Sequence, residues 1–423
     1  MAKIASELQG HIMVSRPIPI LITDPAATAP ASKPTWPIWR GAFRPLFLLA
    51  GVQAIVGVVW WLSSMIHGLW APQLGTTALW HGHEMIFAFG GAALGGFLLT
   101  AIANWTGRPP LQGRAIILLT LCWLAGRVAM IFAANINVAV LLIAELSYFA
   151  VLIIFAAREL ILGNNRRNLK LLAIIGTLAF IDALFVLAAT DVIALDADLF
   201  PRAGIFVFMV LIALIGGRII PGFTRNWLIR AGKLPGIAEP VSFNRFDALC
   251  MGALIASAIL AFTPWHRGAA IVLMVTGVLH YARLARWRGI HTVREPLVIM
   301  LHAAYFWLPT SLMLIGFALL RPDLYGINDA LHAGGAGAMA CMIMAVGGRA
   351  ALGHTGRALV AGTLYTAGFS LIWLATALRL IAPVAGSHYL TILAAATLCW
   401  VGGWLLFVLR YAPILIGAPL KKG

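Results

Sequence analysis

Charge is what this sequence has least of. Asp, Glu, Lys and Arg make up 10% of its 423 residues, and only 14 of those residues are acidic. Soluble domains carry about 25% charged residues, so this shortage excludes an ordinary soluble chain. Cysteine is scarce as well. Cys122, Cys250, Cys341 and Cys399 each stand alone in an apolar run, with no CxxC pair. That spacing excludes a disulfide framework and a thiolate metal centre, and leaves buried packing. The alternating pattern of barrel strands is also missing. The residues before position 36 offer only the short apolar patch "PIPILI", too short and too badly flanked for a signal peptide.

What is present is apolar length. Hydrophobic residues are 61% of the chain, and the mean hydropathy is +0.94. Only helices and closed barrels satisfy their backbone in lipid. Continuous runs of about 20 residues therefore read as transmembrane helices. The expected fold class is all-α: a polytopic membrane protein with twelve spans. These lie near 45–66, 80–104, 114–134, 137–157, 169–189, 203–221, 247–263, 268–287, 296–319, 330–347, 358–380 and 388–410. A flexible cytoplasmic tail is expected over residues 1–38, with the transmembrane domain over 39–423.

A net charge of +16 would suggest nucleic acid in a soluble protein. Here it sets orientation instead. With these spans, Arg202, Arg267, Arg321 and Arg379 are assigned to one set of alternate loops, and Arg127 alone is read as falling inside a span. Every other Lys and Arg falls on the opposite side, so both termini are expected to be cytoplasmic. No nucleic-acid partner is expected; the bilayer is.

The chain carries an internal repeat. Laying 83–108 over 332–357 without a gap matches His83 with His332, Ala101 with Ala350, and Thr106-Gly107-Arg108 with Thr355-Gly356-Arg357. "IGGRIIPGFTRN" (215–226) resembles "VGGRAALGHTGR" (346–357). The second, sixth and tenth spans thus look related, which divides twelve helices into three groups of four. The third equivalent of His83 and His332 is Pro201. Two histidines and one vacancy suit a bis-histidine haem.

Polar groups inside a membrane are functional candidates by default. At the outer ends of their spans stand His67, His81, His83 and His332. His81 and His83 are two apart, about 200° around a helix, so they cannot both face one centre on a regular helix. His83 and His332 are expected to bind one iron. His81 serves a neighbouring centre, hydrogen-bonds within the site, or caps the helix start at the interface. Toward the cytoplasmic side, His280, His302 and His354 form a second candidate metal group. Tyr305 shares a face with His302 and either relays a proton or packs with its hydroxyl hydrogen-bonded. Arg127 needs an anion, supplied by a haem propionate or by Glu145. Glu84 would orient a ligand imidazole or carry protons. Glu84 and Tyr305 are thus the candidate catalytic residues, and Asp182 has no obvious partner.

At these residues the chain resembles the NnrS family of bacterial membrane proteins. The matching segments include "FRPLFLL" (43–49), "WHGHEM" (80–85), "LLTAIANWTGRPPL" (98–111), "GGRIIPGFTRN" (216–226), "REPLVIMLHAAYFWLP" (294–309), "LHAGGAGAM" (331–339), "LGHTGR" (352–357) and "RYAPIL" (410–415). The resemblance implies haem and copper binding, resistance to nitric oxide and residence in the bacterial inner membrane, with b-type haem expected. A looser likeness links it to the catalytic subunit of haem–copper oxidases, also twelve helices in three groups of four. The sixth and seventh spans here carry no histidine, so the copper site of those oxidases has no counterpart at that place. The expected activity is redox removal of nitric oxide with electrons from quinol or a redox protein. The rivals are a sensor that binds without turnover and a transporter or metal-handling protein.

Overall fold

The computed structural model describes residues 36–420 apart from Gln73. The expected tail over 1–38 lies outside the described residues except for Trp36, Pro37 and Ile38, where a 3-10 turn over Pro37–Trp39 leads into the bundle. Twelve helices come next among the described residues: α1 (Phe43–His67), α2 (Thr77–Thr106), α3 (Arg114–Ile131), α4 (Val138–Leu162), α5 (Lys170–Ala189), α6 (Leu199–Arg230), α7 (Arg245–Leu260), α8 (His266–Ala285), α9 (Pro296–Leu320), α10 (Ile327–Gly353), α11 (Thr363–Ile381) and α12 (Tyr389–Ile416). There is no strand among them. The protein is an all-α, multi-pass membrane protein.

Eleven of the twelve are long and apolar enough to cross a membrane, and the exception is α7. Its 16 residues span only about 24 Å at 1.5 Å per residue, short of a hydrocarbon core of about 30 Å. Its start is fixed by a capping box in which the Asn244 side chain accepts from the amides of Phe246 and Asp247, while Asp247 accepts from the Asn244 amide.

The repeated Thr-Gly-Arg is a helix stop. Thr106 and Thr355 donate their hydroxyls to the carbonyls of Ile102 and Ala351, at 2.7 and 2.6 Å. Gly107 and Gly356 then turn left-handed, with φ of +67° and +72°. Glycine adopts that conformation without the penalty a Cβ brings. In α6 the equivalent Thr224 makes the same bond to Ile220, at 2.9 Å. The next residue is Arg225 rather than glycine, and the helix runs on to Arg230.

The repeat also organises the bundle. α2, α6 and α10 touch one another pairwise. Their apolar windows are 78%, 61% and 72% buried, against 28–56% for the other candidate spans. The related helices therefore form the centre. A Cβ on Gly90 of α2 would meet Phe208 of α6 at 2.7 Å and Met339 of α10 at 3.2 Å, so glycine lets all three backbones approach. The remaining helices pack around this trio, and the ring closes where α1 lies against α12.

Two of the three central helices carry a π-helical segment: Glu84–Gly90 in α2 and Ala333–Met339 in α10. The ungapped overlay puts these two stretches on each other. Such wide turns are rare and frequently mark functional sites. α6 is α-helical throughout.

One reading of the charges is corrected. Arg127 is not alone inside a span: Arg283 lies in α8, fully buried, with Nε 2.6 Å from Asp247 Oδ1.

Candidate functional site

The first turns of α2 and α10 precede their π segments and bring histidines toward the centre of the bundle. They do not bring His83 to His332. A cavity of about 310 Å³ lies between α2, α6, α10, α11 and α12, and the histidines lining it are His81 and His332. His83 faces the other way, toward α3, α4 and α5. The reason is the half-turn between residues two apart: one ring on the cavity puts the other behind the helix. Pro201, the third equivalent position, also lines the cavity.

Both cavity imidazoles are tied at Nδ1. His332 donates to the carbonyl of Asn328 at 2.7 Å, and His81 to that of Gly57 at 3.3 Å. With Nδ1 bonded to a carbonyl, each ring presents Nε2 as a free lone pair, the tautomer that ligates metals. Trp61 stacks on His81, ring centres 4.7 Å apart, and fixes its plane. The wall is otherwise apolar, with Ile86, Phe89, Ile205, Leu331 and Trp400. Two thioethers, Met85 and Met339, join the lining.

Two arginines also line the cavity. Arg202 reaches Asp198 at 3.6 Å, yet its buried Nε has no hydrogen-bond partner. Arg379 donates from Nη2 to Asp329 at 2.9 Å, while its buried Nη1 has none. Orphaned guanidinium donors beside an apolar cavity fit a ligand that carries carboxylates. The cavity thus combines two imidazole lone pairs, an apolar wall and two arginines in its lining. In the sequence these arginines carry a topology signal alone.

Behind α2 lies a buried ionic cluster. His83 Nδ1 is 3.1 Å from Glu84 Oε1, and its Nε2 is 2.8 Å from Asp182 Oδ1 and 3.8 Å from Glu145 Oε2. Arg127 donates to Glu84 through Nη1 and to Glu145 through Nη2. Gln53 donates to Glu84 Oε2 at 2.6 Å. Of the two anions expected for Arg127, the structure thus supplies the protein carboxylate, and adds Glu84. The partner that the sequence could not name for Asp182 is His83.

The inner histidines do not converge. His280 accepts the Tyr305 hydroxyl at Nδ1, 2.7 Å away, and donates from Nε2 to the Cys250 carbonyl at 3.1 Å. Both of its nitrogens are used. His302 Nε2 lies 2.8 Å from Thr224 Oγ1. The Thr224 hydroxyl proton already goes to Ile220, so the ring donates there. His354 packs on Phe43, ring centres 5.4 Å apart. Each ring has its own surroundings, and among the described residues no three-ligand group forms from them. Tyr305 pairs with His280 rather than with His302, and also accepts from Arg283 at 3.0 Å. His67 ends α1 exposed and away from the cavity lining.

Compared with known proteins, residues 37–418 match the family model described as NnrS protein. No curated protein matches the chain.

Proposed function

This chain belongs to the NnrS family of nitric oxide-related membrane proteins, and from that premise we propose that it binds haem in the cavity between α2 and α10 and acts on nitric oxide there. The observation that carries this is the pair His81 and His332, whose Nδ1 atoms are each spent on a backbone carbonyl while both rings line the same apolar cavity. Arg202 and Arg379 would hold the propionates with their unpartnered donors. Bound haem supplies a redox-active iron that can take nitric oxide as a ligand. The chain's own part is to fix two imidazoles in one tautomer, exclude water with the apolar wall and neutralise the carboxylates.

Reductive removal of the gas consumes electrons. The described residues form no soluble donor domain, so the electrons would come from quinol or a redox protein. With α7 counted as a short twelfth crossing, the asymmetry of Arg and Lys between alternate loops supports both termini on the cytoplasmic side of a bacterial inner membrane. The haem cavity then lies toward the outer face.

A second metal reading has its own support. His81, His332, Met85 and Met339 around one cavity form a soft nitrogen and thioether set that suits copper(I).

An absorption spectrum of the purified protein tests the haem. A Soret band is expected, lost in His81→Ala and in His332→Ala and retained in His266→Ala, whose residue is exposed at the start of α8. An unchanged band in both cavity variants would refute the assignment. A colourless protein that carries copper instead would favour the second metal. Anaerobic consumption of nitric oxide by the reduced protein separates an enzyme from a sensor.

A further inference from the structure

His83, Glu145 and Asp182 offer one nitrogen and two oxygens within 4.8 Å of one another, and none of the three residues is more than 2% exposed. We propose that these side chains hold a divalent first-row cation of the manganese, iron(II) or zinc class, at a site separate from the cavity lined by His81 and His332.

The hydrogen-bond inventory carries the argument. Of the three carboxylates around His83, Glu84 is fully used. Its Oε1 accepts from His83 and Arg127, and its Oε2 accepts from Gln53. The other two are not. Asp182 Oδ2 and Glu145 Oε1 are buried with no partner, and both belong to the carboxylates that face Nε2. A buried carboxylate oxygen left without a donor or cation is costly. Two carboxylates that face one imidazole nitrogen, each with such an oxygen, ask for one shared electrophile.

The imidazole is oriented for it. A ligand histidine typically donates its other ring nitrogen to a carboxylate, which fixes the tautomer and raises the basicity of the ligating atom. Glu84 stands at 3.1 Å from Nδ1 in that role, which would leave the Nε2 lone pair for an ion held between Nε2, Asp182 and Glu145. Ligands at about 2.0–2.2 Å from a common ion lie about 3.0–3.5 Å from each other. The separations of 2.8 and 3.8 Å from Nε2 bracket that range.

The charge balance agrees. Three carboxylates against the single guanidinium of Arg127 leave two negative charges, all within membrane-spanning helices. A proton on His83 would cancel one of them; a divalent ion cancels both. Gly126 serves the geometry, since a Cβ there would come within 3.0 Å of Glu145 Oε1. One imidazole with two carboxylates, and no sulfur, selects a harder ion than the methionine-lined cavity does.

The test uses the full-length protein in detergent, stripped with a chelator and titrated with Mn²⁺ alone and then with Zn²⁺ alone. One ion per chain is expected by elemental analysis. Asp182→Asn and Glu145→Gln should each weaken binding at least tenfold. Glu84→Gln, a positioning change, should weaken it about 10–100-fold. His81→Ala and His332→Ala should leave it unchanged whether or not they bind haem. A wild-type protein that takes up no ion, or carboxylate variants that bind as tightly as it does, would overturn the proposal in favour of a metal-free imidazolium. Should those variants fail to fold, pulsed EPR of Mn²⁺ in the wild-type protein decides. Coupling to one imidazole nitrogen supports the site, and no nitrogen coupling ends it.

Discussion

His81 and His83 stand two residues apart and serve opposite sides of one helix. The first lines the cavity with His332; the second lies 2.8 Å from Asp182 on α5. The cavity and the ionic cluster are therefore back to back, separated only by the first turns of α2.

The orphaned donors of Arg202 and Arg379 give the first prediction. Replacing either by Gln removes one charge-assisted hydrogen bond to a bound propionate, worth about 1.5–3 kcal/mol. Haem retention should fall roughly tenfold or more, measured by transfer to apomyoglobin. The Soret maximum should not move, because the imidazoles are untouched. A band that shifts in Arg379→Gln would place that arginine nearer the iron than proposed.

Arg127 is the counter-charge of Glu84 and Glu145, both nearly fully buried. Breaking a buried ion pair by removing one partner typically costs about 3–5 kcal/mol. Arg127→Met should therefore lower the apparent Tm of the detergent-solubilised protein substantially. The double variant Arg127→Met with Glu145→Gln should recover part of the loss. No recovery would mean that the arginine acts through packing on Trp123, over which its guanidinium also lies at 5.5 Å.

The two helix stops differ in a measurable way. Alanine at Gly107 meets nothing within 4 Å, so it suffers only the left-handed backbone penalty, about 1–2 kcal/mol. Alanine at Gly356 suffers the same penalty and also presses on the Leu420 carbonyl at 3.0 Å. Gly356→Ala should destabilise more than Gly107→Ala in thermal unfolding. Equal effects would show that the stretch of chain around Leu420 yields freely.

Tyr305 is fully buried and holds both His280 and Arg283. Tyr305→Phe leaves two buried polar groups short of a partner, a cost of about 1–3 kcal/mol. Lower stability with unchanged nitric oxide consumption per haem is the expected result. Selective loss of consumption at normal stability would restore a catalytic role for the hydroxyl.

The expected spans overlie the twelve helices, and the repeat overlay picks out the central helices from residue identities alone. That much is legible because apolar runs and glycines leave marks in one dimension. The match of His83 to His332 is right as alignment and misleading as geometry. Sequence gives the spacing around a helix but not its absolute rotation, so it separates His81 from His83 without choosing between them. Asp182 looks partnerless in the sequence because His83 lies far from it in the chain. The grouping of His280, His302 and His354 fails on similar ground: depth in the membrane is readable, whereas facing is not. Arg202 and Arg379 read as orientation signals, since nothing local distinguishes a loop cation from one beside a cavity.

The wide turn after His83 has a mechanical meaning. A helix that holds one residue too many for its ordinary winding sets an angular offset between its two ends. Rewinding Glu84–Gly90 as ordinary α-helix, with no residue removed, would swing the start of α2 by about 100°. Both rings would leave their stations at once: His81 would lose the opening it shares with His332, and His83 its acidic neighbours. The dial setting of that one helix decides whether either centre can assemble.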